Sequence, residues 1–216
     1  MAAASTRPGR PPGKQGAELL AVAREAFLEM GFDRTTMGDI AQRAGVSKSS
    51  LYREHSSKDD LFTAVVTDWA EQGRGAMAPH LEALLAEPDI AQALTEFSTV
   101  LLAAVTAPPV VGMRRLIAAE ADRFPDVAEL YLRLSWQTNL HALANALAQL
   151  DQQGRLTVED PATAAEQLVW MSVGAPLNAY TLGAAGAADQ DRDVGIHHTV
   201  ETFLARYATA GTPARS

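Results

Sequence analysis

Apolar residues in this chain recur at three- and four-residue spacing over most of its length, and the runs end at glycine or proline. That pattern restricts the fold more than any other feature. A 3.6-residue period lays one helix face on a core, whereas a strand needs a two-residue alternation. Leu19, Ala23, Phe27 and Met30 share a face that stops at Gly31. Met37, Ile40, Ala41 and Ala44 follow and stop at Gly45. Thr35 or Thr36 stands where their helix needs a cap, with Asp39 in a capping-box place three residues after Thr36. Ser47 caps a short helix carrying Leu51 and Tyr52, and Ser57 caps the next, striped by Leu61, Val65 and Trp69. Ile90, Leu94, Phe97, Leu101 and Val105 mark a helix ended by Pro108-Pro109. Met113, Ile117, Glu120 and Phe124 mark another, stopped by Pro125. Trp136, Leu140, Leu143, Leu147 and Leu150 mark a long one closed by Gly154. Asp160-Pro161 opens a helix running past Gly174 and Pro176, and Val200, Phe203, Leu204 and Tyr207 mark the last. The 41 alanines favour helix as well. The expectation is an all-α chain of about nine helices. A three-helix bundle occupies 15–60 and a larger helical body 61–209, between disordered tails at 1–14 and 210–216.

Charge narrows the function. The chain has 216 residues, 18 Lys+Arg and 26 Asp+Glu, a net charge of −8. Such a protein does not coat polyanions generally, so a nucleic-acid role needs a local patch. Residues 1–60 supply one: nine Lys/Arg against eight Asp/Glu leave +1 there and −9 for the remainder, and all three lysines fall in that segment. Without cysteine there is no disulfide framework, thiolate zinc site or thiol nucleophile, which fits a reducing cytoplasm. His55, His80, His141, His197 and His198 form no ligand pattern, and no phosphate-binding, dinucleotide or nucleophile-elbow motif occurs. Pairs such as Asp59-Asp60 and Asp189/Asp191 read as caps. No enzyme activity, metal or cofactor is therefore expected. The uncharged run Leu168–Ala188 is long enough to span a bilayer, but Gly174, Pro176, Asn178, Gly183 and Gly186 suit a buried helix better. No membrane span is expected.

Residues 36–55 read TMGDIAQRAGVSKSSLYREH: a short helix, a Gly-Val-Ser turn and a second short helix. A pair of this kind sits at a wide angle, and its second helix can enter a major groove. Small and polar side chains belong on the leading face of such a helix, and Lys48, Ser49, Ser50, Tyr52 and Arg53 supply them. Ile40, Ala44, Val46 and Leu51 would hold the pair together. An ordinary helical hairpin uses the same glycine turn.

The segment TTMGDIAQRAGVSKSSLYREHSSKDDLFTAVV, Thr35 to Val66, preceded by AFLEMGF, closely resembles the TetR family of transcriptional regulators. More faintly, LIAAEADRFPDVAELY and GRLTVEDPATAAEQL resemble the AefR-like regulatory domains within it. The resemblance implies a homodimer reading successive major grooves of a palindromic double-stranded DNA operator. It implies a C-terminal body that dimerises and binds a small effector, most simply as a repressor released by that effector. Carried over by position, Ser47 opens the recognition helix, Tyr52 touches the DNA backbone, and Thr36 and Lys58 meet phosphates at helix N-termini. Two positions depart: Glu54 and His55 stand where the family usually carries histidine and phenylalanine. The tail residues Arg7, Arg10 and Lys14 suit either a minor-groove arm or a solvated tail. A DNA-binding dimer without effector, and a helical adaptor that binds no DNA, remain open.

The expected dimer interface is 161–209, with Val200, Phe203, Leu204 and Tyr207 pairing across a four-helix bundle. An effector pocket is expected between helices 110–124 and 126–150, with Trp69, Phe97, Met113, Ile117, Glu120, Trp136, Asn139 and Trp170 as lining. Glu120, on an apolar stripe, should point inward and need a partner. The acidic body favours an apolar, aromatic or weakly cationic effector over a strongly anionic one.

Overall fold

A computed structural model of the chain describes residues 14–184 and 192–209. Arg7 and Arg10, the Asp189/Asp191 turn and the C-terminal tail lie outside the described residues. Two compact units divide between Asp68 and Trp69.

The N-terminal unit holds α1 (Ala17–Met30), α2 (Met37–Ala44), α3 (Lys48–Glu54) and the first part of α4 (Lys58–Gly73). Its elements start and stop where the local chemistry directs. Gly31, at φ 78°, ends α1, and Gly45, in the left-handed region at φ 72°, ends α2. The Ser47 hydroxyl accepts from the Ser50 amide at 3.0 Å to open α3, and Ser57 accepts from Asp60 at 3.0 Å to open α4. The rings of Phe27, Phe32 and Phe62 meet pairwise with centroids 5.1 to 5.8 Å apart, over buried Leu19, Ile40, Leu51 and Leu61. Thr36 caps α2, whereas Thr35 is buried and donates to the carbonyls of Ala26 and Gly31 near the end of α1.

The C-terminal unit contains α5 (Ala78–Ala86), α6 (Ile90–Thr106), α7 (Pro108–Glu120), α8 (Pro125–Tyr131), α9 (Thr138–Gln152), α10 (Pro161–Thr181) and α11 (Arg192–Tyr207). A π-helical turn, Leu132–Gln137, joins α8 to α9 without a break. Helix α10 is the hub, packing on α6, α7, α9 and α11. Leu168, Val169, Ser172, Val173 and Leu177 are buried in it, so the uncharged run as far as Thr181 belongs to a helix with one side in the core. No single helix among the described residues is long and apolar enough to cross a membrane.

Helix α5 escaped the sequence reading because only Leu81 and Leu84 along its nine residues are buried, too few to show a period. Its C-terminus is closed from afar: Arg155 donates to the Leu85 carbonyl at 3.0 Å and to the Glu87 carbonyl. Arg115 closes α10 likewise, donating to the Thr181 carbonyl at 3.0 Å and to that of Tyr180. Two expectations need correction. Val200, Phe203 and Tyr207 are buried inside their own unit and Leu204 packs against its core, so these apolar residues cover the chain's own interior. Glu120 is half-exposed near the end of α7, so it is not a buried carboxylate in need of a partner.

Candidate functional site

Around α3 the backbone presents one polar face. The Val46 amide donates to the Ala41 carbonyl at 3.0 Å, which tightens the turn from α2. Leu51 is the buried anchor of α3, while Lys48, Ser49, Tyr52, Arg53 and Glu54 are exposed and Ser50 half-exposed. The Ser47 hydroxyl is bonded to that of Ser49 at 2.9 Å and donates to that of Ser50 at 2.8 Å. The Lys48 ammonium lies 6.0 Å from the Tyr52 ring centre, at the outer limit of a cation–π contact. Arg53 has no hydrogen-bond or ion-pair partner among the described residues, so its five donors face solvent.

Three neighbours are bound to their own unit. Thr36 accepts from the Asp39 amide at 3.2 Å and donates its hydroxyl proton to the Asp39 carboxylate at 2.6 Å. The Thr36 hydroxyl is the main reason the Asp39 carboxyl sits below its ordinary range, with the Thr36 amide adding to it. Lys58, expected to meet phosphate at the start of its helix, donates to the Phe32 and Asp33 carbonyls at 2.9 and 3.3 Å and lies 4.2 Å from the Phe32 ring centre. Those carbonyls are 25 and 26 residues away, which is why a lysine at a helix start looked available. Glu54 accepts from the Gly16 amide at 3.3 Å, a bond that α1 needs because Gly16 brings no side-chain cap of its own. The departure at Glu54 therefore has a place in the fold of the bundle.

The second site lies wholly inside the C-terminal unit. A cavity of about 310 Å³ is walled by the end of α4, by α6, α7 and α10, and by the run from α8 to α9. Trp69, Phe97, Trp136 and Asn139 line it, with Leu101, Val105, Val110, Leu140, Leu143, Val169 and Leu177. Its polar liners are Gln72, Arg114, Tyr131, Ser135 and Asn139, and no carboxylate is among the described lining residues. Four residues expected on the wall are elsewhere. Met113 and Ile117 are buried in the core, Glu120 lies beyond the lining, and Trp170 is 46% exposed, its ring centre 5.1 Å from that of Trp136. Periodicity marks the buried side of a helix, but not whether that side meets neighbours or a void. Arg114 and Tyr131 escaped the sequence reading. The available signal was a cation, Arg114, one turn after Val110 and so on the same face as that apolar residue.

The π-helical turn shapes this wall. A π-turn widens the backbone spacing and is often found at functional sites. Side chains satisfy carbonyls here: Ser135 donates to Tyr131 at 2.6 Å, Thr138 to Arg133 at 3.0 Å, and Asn139 to Ser135 at 2.7 Å. Burial pushes the Tyr131 phenol up, and the charge of Arg114 opposes this less strongly, so the hydroxyl keeps its proton at neutral pH and can donate. A weakly cationic effector, one of the classes expected, would meet a guanidinium here and no carboxylate.

An exposed polar recognition helix in one unit and a walled apolar cavity in the other describe a regulator that binds DNA through a helix-turn-helix. Residues 19–65 match the family described as bacterial regulatory proteins, tetR family. Residues 92–209, more than half of the chain, match the AefR-like transcriptional repressor C-terminal domain. The chain belongs to the TetR family of DNA-binding transcriptional regulators, which are not enzymes. It is similar to a TetR-family regulator from Mesorhizobium loti MAFF303099, 27% identical with a TM-score of 0.83 over 88% of this chain and 95% of that one. The flavonoid-responsive regulator FrrA is 26% identical, with a TM-score of 0.67 over 89% of this chain and 96% of that one. The transcriptional activator FasR of Mycolicibacterium smegmatis is 43% identical over 56 residues, 26% of each protein, so the chain spans about a quarter of that relative's length.

Proposed function

We propose that this chain is a homodimeric repressor that leaves a palindromic operator when a small hydrophobic effector fills the cavity of its C-terminal unit. The cavity itself carries the reading. Its volume of about 310 Å³ lies at the lower end of the roughly 300–1,000 Å³ typical of ligand pockets, and its walls are mostly apolar and aromatic. The similarity to a flavonoid-responsive regulator supports an effector of this kind, and the AefR-like repressor match supports repression. A repressor of this class acts on chromosomal DNA in the cytoplasm. Ser47, Lys48, Ser49, Ser50, Tyr52 and Arg53 form the DNA face, with Thr36 beside it; Lys58 is assigned instead to the bundle.

Dimerisation through 161–209 is supported by what that segment leaves uncovered. Of the six large apolar side chains that are exposed among the described residues, four fall within it: Trp170, Met171, Leu182 and Val194, at 46, 41, 75 and 52% exposure. Two copies of the resulting face, related by a twofold axis, would cover one another. They would hold two recognition helices about 34 Å apart, one helical turn of DNA.

Helix α4 is the proposed lever. Leu61, Phe62, Val65 and Val66 near its start are buried, and Trp69, Gln72 and Gly73 near its end line the cavity. A ligand that moves those last residues acts on the first through one continuous helix. Release requires the ligand to prefer the non-DNA form, by about 1–3 kcal/mol of coupling. Operator must then weaken ligand binding by the same factor. The test is to select DNA sites with the purified protein, screen hydrophobic compounds by thermal shift, and titrate each hit with and without operator. Equal affinities for every hit would leave a constitutive DNA-binding dimer. A monomeric mass by light scattering at micromolar concentration would remove the dimer.

A further inference from the structure

The cavity is chemically lopsided. Its apolar liners include three aromatic rings, Trp69, Phe97 and Trp136, and its one charged liner among the described residues is Arg114. Arg114 has no hydrogen-bond or ion-pair partner among the described residues, whereas neighbouring Arg115 donates to two carbonyls that close α10. A half-buried guanidinium against apolar walls is under-satisfied, because water replaces an anion poorly where solvent access is limited. Arg114 and Tyr131 both line the cavity, and the Arg114 charge is felt at the Tyr131 phenol.

Resting on the effector reading above, we propose that the ligand is an aromatic monoanion, its single carboxylate or phenolate bound by Arg114 with a second hydrogen bond from the Tyr131 hydroxyl. The guanidinium fork matches a carboxylate with two parallel bonds, and charge-assisted bonds are about twice as strong as neutral ones. The walls decide the rest of the molecule. A body carrying further charges would bury them among Phe97, Leu101, Val105 and Leu143 with nothing to pair them. One guanidinium balances one negative charge, which sets a carboxylate or phenolate apart from a diphosphate. A cationic ligand would have to bury its charge beside Arg114 without a counter-ion.

The test uses three probes with one aromatic body: 2-naphthoate, 2-naphthamide and 2-naphthylmethylammonium. Each is titrated into the full-length protein by calorimetry, with quenching of tryptophan fluorescence as a second readout. The naphthoate is expected to bind about tenfold or more tightly than the amide, with the ammonium weakest. Arg114→Gln and Arg114→Ala should abolish the preference for naphthoate while leaving naphthamide affinity within about twofold, which shows the cavity intact. Arg115→Gln, one residue away and off the wall, should keep the preference. Tyr131→Phe should lose a smaller part of it. Equal affinity for acid and amide, a preference that survives both Arg114 variants, or no binding by any probe would overturn the proposal. Its failure is separable from that of the effector reading. A naphthoate preference that depends on Arg114 but leaves operator affinity unchanged would uphold the anion site and count against ligand-driven release.

Discussion

Around α3 most polar side chains of the N-terminal unit are bonded to one another or to backbone, whereas Arg114 on the cavity wall of the C-terminal unit has no bonding partner among the described residues. In the first region, Thr36, the serine hydroxyls, Glu54 and Lys58 use their bonds to hold short helices together. Lys48 and Arg53 are the long cations left to project from α3. In the second, long helices hold themselves and leave a void, with Arg114 the one charge among its described lining residues. A DNA surface needs a rigid face with a few projecting groups. A ligand site needs unfilled volume and an unmet charge. Where each region places its unpaired groups separates the two tasks better than overall charge does.

The largest expected effect tests the filled region against the void with one substitution. Val65 is buried in the N-terminal unit, so Val65→Phe should overpack it and cost about 1–3 kcal/mol of stability. Val105 lines the cavity, and Val105→Phe has space to occupy. It should leave the melting temperature nearly unchanged and abolish uptake of aromatic probes. Equal losses in thermal melts of the two variants would mean that the cavity is not available volume.

Next is Arg53→Ala, which should cost about 1–3 kcal/mol of operator affinity and relax preference at one base pair per half-site, because arginine to guanine is the commonest specific contact. Selection from randomised DNA reads both. Unchanged affinity and unchanged preference would remove α3 from the groove.

A pair of lysines gives a smaller and more discriminating contrast. Lys58→Ala removes an ammonium from two carbonyls and a ring, and should lower stability by about 1 kcal/mol given its partial exposure. Lys48→Ala should leave stability alone and flatten the salt dependence of DNA binding by about one ion. Lys58→Ala with an unchanged melting temperature and the flatter salt slope would restore its assignment to phosphate.

The smallest effect predicts sameness. Each unit has a helix-start aspartate bonded to a threonine hydroxyl at 2.6 Å, Asp39 with Thr36 and Asp160 with Thr163, and that bond is the main reason each carboxyl sits below its ordinary 3.8. A folded-state value below the unfolded one stabilises above about pH 3.8, and this stabilisation is lost as pH falls through the folded value. Acid titration followed by circular dichroism should show Asp39→Asn and Asp160→Asn flattening the decline similarly. A loss confined to one variant would show that the two caps differ.

Much of this protein is legible as sequence because its information is local. Glycines at 31 and 45, Thr36 with Asp39, and Ser47 with Ser50 act within a few residues, so the order of residues alone reveals the helix ends, the helix-turn-helix and the exposed face of α3. The apolar period identifies buried sides, and four of the expected pocket residues, Trp69, Phe97, Trp136 and Asn139, do line the cavity. What tertiary structure alone decided depends on residues far apart along the chain. Lys58 meets carbonyls 25 and 26 residues away, Glu54 an amide 38 away, and Arg155 carbonyls 68 and 70 away. The same reason places Met113 and Ile117 in the core and Arg114 beside a void. A period says which side of a helix turns inward, but the space it turns toward is made by other helices, and only their packing determines whether that space is filled.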